Sequence, residues 1–241
     1  MTSPTRERVV LTEDELAKIG RVAPKRQRLV IDSLDKEPRR VVGAGWDPLQ
    51  IKGVDVDIDV VTLMLTRDPE AGSNDSGWYV ASRDRLVHYH PADRTRKVSD
   101  ASGAVEYQGD SRDGTESDEL EDETVIFDFS KMPADVGALM TFVNIHKQDD
   151  YPPFINELTF DQVQRAFASS FPEGLQNVPE KKRVTGLSQK FAGSDTVVIK
   201  FDWRTPDGTW QEEFVEQYVP HLPQYQGKAN AGFLSAIEPY L

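Results

Sequence analysis

The chain has 241 residues, with 28 basic and 41 acidic side chains and no cysteine. A hydrophobic fraction of 38% is enough for a buried core, so the chain is not disordered throughout. The lack of cysteine excludes disulfides, thiolate zinc sites and thiol catalysis, and the net charge of −13 argues against a nucleic-acid partner. Since the sequence shows neither a signal peptide nor an apolar run of membrane-spanning length, we expect a cytoplasmic protein without a transmembrane segment.

The N-terminal part differs in character from the rest. Residues 1–40 are predicted to form an extension, and residues 41–241 the main domain. Thr12 and Glu15 fit a capping box, which predicts a short helix that ends at Gly20, and a basic stretch follows at residues 21–28. We expect a short helical arm that packs on the main domain.

From residue 41 onward, short extended segments alternate with turn residues. The predicted strands cover residues 41–46, 54–65, 78–90, 124–129, 138–146, 196–203 and 210–219. The last two are expected to form a hairpin across the turn at 205–208. A helical turn is predicted at 161–165 and a C-terminal helix at 229–240. The pattern indicates a mostly β protein, an antiparallel β-sandwich.

Negative charge is concentrated in two segments. Residues 109–123 carry eight carboxylates and one arginine, and Asp55, Asp57 and Asp59 add three more carboxylates. These two segments account for most of the net charge, so the acidity is local and favours a binding site. The alternative is that residues 109–123 form a solvated acidic loop.

The strand predicted at residues 54–65 changes character halfway. The alternation of side chains places three aspartates and then three aliphatic residues on one face: Asp55, Asp57, Asp59, Val61, Leu63 and Leu65. Stacked like charges repel one another, which favours a bound cation over a merely solvent-facing edge. Calcium accepts six to eight oxygen ligands. Three alternate residues span about 13 Å, which favours two ions or an indirect role for one aspartate.

Six short motifs occur in a fixed order along the chain. They are Gly45-Trp46-Asp47, Asp55-Val56-Asp57-Ile58-Asp59, Gly109-Asp110-Ser111-Arg112-Asp113-Gly114, Asp128-Phe129-Ser130-Lys131-Met132-Pro133, Val143-Asn144-Ile145-His146, and Phe160-Asp161-Gln162-Val163 with Ala166-Phe167. In this order they resemble the tellurium-resistance TerD-type stress-protein family. The resemblance implies a calcium-binding β-sandwich with a bacterial stress or tellurite-resistance role and no settled enzymatic activity.

The resemblance also implies the position of the metal ligands. Two calcium ions would lie between the aspartate strand and the acidic loop. The implied ligands are Asp55, Asp57, Asp59, Asp110, Glu116, Asp122 and Glu123, with backbone carbonyls from Ser111 and Gly114. Residues 1–40 have no counterpart in compact members of the family, which suggests a specialised relative.

Two other functions are weighed against calcium binding. His88 and His90 share one face of a predicted strand, a spacing that zinc sites use, and His146 or Asp161 would be further ligands of a metal-dependent enzyme. The sequence contains no phosphate-binding loop and no nucleophile elbow.

The remaining alternative is a calcium-ordered adaptor that docks another protein, a related family member or an anionic headgroup, with residues 1–40 contributing a basic surface.

Overall fold

A computed structural model describes ten ranges of the chain: residues 27–29, 38–67, 78–89, 92–93, 96–109, 121–147, 151–163, 166–175, 183–187 and 194–219. The strands are β1 (Gln27–Leu29), β2 (Arg39–Gly45), β3 (Gln50–Ile51), β4 (Val54–Asp55), β5 (Ile58–Arg67), β6 (Trp78–Tyr79), β7 (Leu86–Val87), β8 (Val98–Ser99), β9 (Val105–Tyr107), β10 (Glu123–Asp128), β11 (Val136–Ile145), β12 (Phe167–Pro172), β13 (Arg183–Gly186), β14 (Thr196–Arg204) and β15 (Trp210–Val219). Within these ranges the single α-helix is α1 (Pro153–Asn156), and 3-10 turns cover Arg83–Arg85, Phe129–Lys131 and Phe160–Gln162. The helices predicted at 12–20 and 229–240 lie outside the described residues.

The strands form two antiparallel sheets and a small separate hairpin. The seven-stranded sheet has the order β1-β15-β14-β11-β5-β6, with β7 also paired to β5. The six-stranded sheet has the order β13-β12-β2-β10-β9-β8, and β3 pairs with β4. Buried apolar residues of both sheets form one continuous core. The prediction of a mostly β, antiparallel sandwich is therefore confirmed.

Local sequence patterns place several strands correctly. The strands predicted at residues 41–46, 124–129 and 138–146 correspond to β2, β10 and β11. The predicted hairpin is formed by β14 and β15, which pair from Thr196 opposite Val219 to Arg204 opposite Trp210. Gly208 in its turn has a φ of 89°, a conformation that glycine adopts without steric cost.

The strand predicted at residues 54–65 is interrupted at Val56 and Asp57. Its first part is β4, which pairs with β3, and its second part is β5. The backbone of Val56 is engaged elsewhere, since its N–H donates to the carbonyl of Leu49 at 2.8 Å and its carbonyl accepts from Trp46 Nε1 at 3.1 Å. These bonds replace ladder pairing, so a single continuous strand was a wrong prediction.

Three other segments also differ from the sequence-based prediction. Residues 78–90 contain two short strands separated by a 3-10 turn, not one strand. Within the predicted N-terminal extension, β1 pairs with β15 and forms the edge of the seven-stranded sheet. This part of the extension is therefore a strand and not part of a helical arm. The helical turn predicted at 161–165 is a 3-10 turn at Phe160–Gln162.

No helix in the described ranges is long and apolar enough to cross a membrane.

Candidate metal centre

Three buried side chains that can bind a metal meet at one end of the seven-stranded sheet. Asp59 lies in β5, Asp57 directly precedes this strand, and His146 directly follows β11. One ligand atom from each residue lies within 4.8 Å of the other two. The exposed fractions of these residues are 3% for Asp57, 0% for Asp59 and 3% for His146. They form the only such group among the described residues, and we call it the metal centre.

The pairing of two strands brings this group together. β5 and β11 are antiparallel, with Asn144 opposite Asp59 and Ile145 opposite Ile58. One residue further on, the backbone N–H of His146 donates to the carbonyl of Asp57 at 2.8 Å. The imidazole Nδ1 of His146 then lies 2.8 Å from Asp59 Oδ2. The strand register therefore fixes the imidazole beside the two carboxylates.

Aromatic rings surround the imidazole. The ring centroids of Tyr89 and Tyr151 lie 5.4 and 5.9 Å from that of His146, both in edge-to-face geometry. Such contacts restrict the orientation of the imidazole and limit the access of water. Electrostatic interactions inside the metal centre are consequently stronger than at an exposed acidic surface.

The described end of the acidic loop is attached to the same region. The backbone N–H of Trp46 donates to Asp122 Oδ2 at 2.8 Å, and the indole of Trp46 donates to Val56. The backbone N–H of Val60, the residue after Asp59, donates to Glu123 Oε2 at 2.8 Å. Because Glu123 belongs to β10, this bond joins the six-stranded sheet to β5. Asp122 and Glu123, at the described end of the acidic segment, thus lie beside the part of the chain that holds Asp57 and Asp59.

Four carboxylates are buried in this region. They belong to Asp57, Asp59, Asp122 and Glu123. Burying a carboxylate costs several kcal/mol unless charge and hydrogen bonds compensate it. The ammonium of Lys147, next to His146 in the sequence, is ion-paired with Asp195 at 2.5 Å. A divalent cation among these carboxylates would offset their desolvation, which is the arrangement that calcium and other hard cations use.

The predicted ligands fall into three groups. Asp57 and Asp59, which are buried, belong to the metal centre. Asp122 and Glu123 are also buried, and they accept hydrogen bonds from the backbone N–H groups of Trp46 and Val60. Asp55 is exposed in β4, where its carboxylate accepts a hydrogen bond from Gln50 at 2.9 Å. The remaining four, Asp110, Ser111, Gly114 and Glu116, lie outside the described residues.

From the sequence, His146 was considered only as a further ligand of the alternative zinc site with His88 and His90, and not as a partner of the aspartates. Its signal was the Val143-Asn144-Ile145-His146 motif at the end of a predicted strand. Of the residues considered for zinc, His88 is half-buried, with its ring 5.2 Å from that of Tyr89, and Asp161 is exposed beside Thr159. His90 lies outside the described residues.

Gly43 in β2 has no side chain, and this allows Glu121 and Glu123 to approach the strand closely. It pairs with Thr124, and a Cβ at this position would lie 2.6 Å from the carbonyl oxygen of Glu123 and 2.7 Å from Glu121 Cγ. We expect Gly43→Ala to reduce the free energy of unfolding by about 1–3 kcal/mol, because the backbone of β10 must shift. Chemical denaturation measures this change. Gly186→Ala is the matched control in β13, since its Cβ meets nothing within 4 Å. Equal stability of the two variants would contradict the close approach.

Comparison with known proteins agrees with this architecture. The TerD domain family model matches residues 25–173, a range that begins within the predicted extension. The uncharacterized protein YceE of Bacillus subtilis (strain 168) is 30% identical over 140 residues, which cover 58% of this chain and 62% of YceE. The match therefore spans less than two thirds of that relative.

Solved structures show the same fold. The crystal structure of a homologue of the telluride resistance protein TerD from Streptomyces coelicolor A3(2) has a TM-score of 0.57 at 16% identity and covers 76% of this chain and 91% of its own. A second crystal structure, of a protein of unknown function, has a TM-score of 0.54 at 16% identity, with coverages of 74% and 89%. Because the family model spans more than half of the sequence, the chain belongs to the TerD domain family.

Proposed function

We propose that this chain is a calcium-binding protein of the stress and tellurium-resistance type, in which calcium is held between the Asp57–Asp59 segment and the acidic loop. One observation carries the proposal: Asp57 and Asp59 are buried beside His146, and the buried carboxylate of Glu123 is hydrogen-bonded to Val60, the residue after Asp59. The stress and tellurium-resistance role is supported by the TerD domain match and by the similarity in fold to a homologue of the telluride resistance protein.

The carboxylates would supply the oxygen ligands that calcium requires. The imidazole of His146 would act through Asp59, since Nδ1 as a donor lies 2.8 Å from Oδ2 and would fix the orientation of the carboxylate. Asp110 and Glu116, with the carbonyls of Ser111 and Gly114 and with water, would complete the coordination of two ions, whereas the exposed Asp55 would take no direct part. In this proposal the protein binds calcium and catalyses no reaction. The role of a calcium-ordered adaptor that docks another protein stays a prediction.

A second candidate is a transition-metal site, and the imidazole is the observation that favours it. Calcium is bound almost entirely through oxygen, whereas zinc combines imidazole nitrogen with carboxylate oxygen. The nitrogen of His146 lies within 4.8 Å of both carboxylates. In this case His146 would be a direct ligand of the metal.

Calorimetric titration of the chelator-treated full-length protein with calcium, magnesium and zinc separates the candidates. We expect saturable calcium binding and at least about tenfold weaker magnesium binding, because magnesium demands tight octahedral geometry and retains its water. His146→Gln should bind calcium with little change, since glutamine still donates a hydrogen bond to Asp59. Asp207→Asn, an exposed carboxylate in the β14–β15 turn, is the control and should bind as the wild type does.

Each contrary outcome has a definite meaning. Equal responses to calcium and magnesium would mean that the acidic segments bind counter-ions diffusely and form no specific calcium site. Zinc binding that is lost in His146→Gln, with no calcium response in either protein, would establish the transition-metal site in place of the calcium site.

A further inference from the structure

A cavity of about 560 Å³ lies on the outer face of the seven-stranded sheet, where β5 ends and β11 begins. Successive residues of β14 face opposite sides of this sheet, so Phe201 and Trp203 point outward, whereas Lys200 and Asp202 are buried on the inner face. Trp78 of β6 contributes a third ring to the wall. The volume is within the range of small-molecule sites, and we call this cavity the aromatic pocket.

The three rings of the aromatic pocket present faces at different angles. Phe201 and Trp203 stack with centroids 6.1 Å apart, and Trp78 meets Phe201 edge to face at 6.3 Å. All three side chains are half-buried, so part of each ring is open to solvent. A Cβ at Gly137 would lie 2.9 Å from Trp78 Cζ3, so the glycine lets this ring lie against β11. Walls of this kind accept a planar aromatic group.

Arg67 places a positive charge at the aromatic pocket. It is directly opposite Trp78 in the ladder between β5 and β6, and its Cζ lies 6.0 Å from the Trp78 ring centroid. The side chain is exposed, and within the described part of the chain no ion pair or hydrogen bond engages its guanidinium. Its donors are therefore available to an anion.

The other charges near the aromatic pocket do not neutralise Arg67. Arg204 also lines the pocket, and its guanidinium donates to the backbone carbonyls of residues 132–134. Asp135 lies outside the lining and is ion-paired with Arg85 at 3.2 Å. Among the described lining residues Glu213 is the single carboxylate, and it is buried. The lining thus has a net positive charge, although the chain as a whole has a charge of −13.

We propose that the aromatic pocket binds a small planar aromatic carboxylate. The ring of the ligand packs against Trp78, Phe201 and Trp203, and the guanidinium of Arg67 binds its carboxylate. The planar fork of arginine matches the geometry of a carboxylate, and such charge-assisted bonds are about twice as strong as neutral ones. Arg204 is held by backbone carbonyls, so it contributes positive charge and shapes the wall.

The aromatic pocket is separate from the metal centre. Asp59 and Arg67 lie near opposite ends of β5, and eight residues of a strand span about 26 Å. Binding in the pocket therefore does not depend on calcium. Its test uses chelator-treated protein, so that the result is independent of the proposed calcium site.

Nuclear magnetic resonance titration of the full-length protein with three probes tests the proposal. Naphthoate has both features of the ligand, naphthylmethanol lacks the charge, and cyclohexanecarboxylate lacks the aromatic ring. We expect naphthoate to shift the indole N–H signals of Trp78 and Trp203 saturably and to leave that of Trp46, which donates to Val56 in the core, unchanged. Naphthylmethanol should bind about tenfold more weakly, and cyclohexanecarboxylate at least about threefold more weakly.

Two variants locate the probe. Arg67→Gln should bind naphthoate about tenfold more weakly and naphthylmethanol as the wild type does. Arg39→Gln is the matched control, because it removes an equally exposed arginine that is ion-paired with Glu173 in the six-stranded sheet. Gly137→Ala should weaken the binding of both aromatic probes, since its Cβ displaces the ring of Trp78.

Three results would overturn the proposal. They are the absence of a shift at Trp78 and Trp203, equal affinities for naphthoate and naphthylmethanol, and naphthoate binding that is the same in Arg67→Gln as in Arg39→Gln. Because Arg67 is exposed, its replacement should not impair folding, and the test does not depend on the stability of Gly137→Ala.

Discussion

Replacing both Asp57 and Asp59 by asparagine is expected to abolish the stabilisation of the protein by calcium. Calcium that binds only the folded state adds about 2.7 kcal/mol at a hundredfold excess over its dissociation constant, which raises the melting temperature of a chain of this length by about 5–10 °C. The double variant loses the two buried carboxylates of the metal centre, so this shift should vanish. Thermal unfolding with calcium and with chelator measures it.

The metal-free double variant should be as stable as the wild type or more stable. Asp57 and Asp59 are buried like charges, and neutral amides of the same shape remove their repulsion. In the wild type, the calcium-dependent shift should also decrease from pH 7 towards pH 4, because protons compete for the ligand oxygens. A double variant that keeps the full calcium shift would exclude the aspartate segment as the binding site.

The substitution Lys200→Met is expected to reduce the free energy of unfolding by about 3–5 kcal/mol at pH 7.5. Methionine fills a similar volume, but it leaves Asp202 and Glu212 buried with the charge of Arg40 alone. Removal of one partner from a buried ion pair is costly for this reason. Urea denaturation at pH 7.5 and pH 5.5 measures the change. The loss should be smaller at pH 5.5, because burial raises the pKa of Asp202 to about 6 and its carboxyl group is then largely protonated.

The double variant Lys200→Met with Asp202→Asn should recover part of the lost stability, since it removes an uncompensated anion. Lys131→Met is the exposed control. Its ammonium lies 3.2 Å from Asp128 and its side chain is 54% exposed, so its loss should change stability by less than about 1 kcal/mol. If Lys200→Met has as small an effect as Lys131→Met, the buried ion pairs of Lys200 contribute little to the stability of the sandwich.

The sequence alone determined the fold class and the strands whose patterns are local. Alternation and turn residues placed β2, β10 and β11 and the hairpin of β14 and β15, because a period of two and a turn that contains Gly208 depend on neighbouring residues only. The same period predicted that Asp57 and Asp59 share one face, and the two residues do meet in one cluster.

Tertiary contacts decided where the aspartate strand is interrupted. Val56 pairs with Leu49 and Trp46, and Asp57 pairs with His146, so Asp55 lies in a separate hairpin while His146 joins the metal centre. His146 is 87 residues from Asp59 in the sequence, and only the register of β11 against β5 brings their side chains together. No local pattern contains this information.

The burial of four charged residues in the core is the clearest case of a feature that only the tertiary structure decided; they are Arg40, Lys200, Asp202 and Glu212. Lys200 and Asp202 alternate with apolar residues in β14, a pattern that is typical of a solvated strand face. Both side chains nevertheless point into the sandwich, where Arg40 and Glu212 from two other strands balance their charges. Whether a charge can be buried depends on partners that are distant in the sequence, and for this reason the strand's own residues could not predict it.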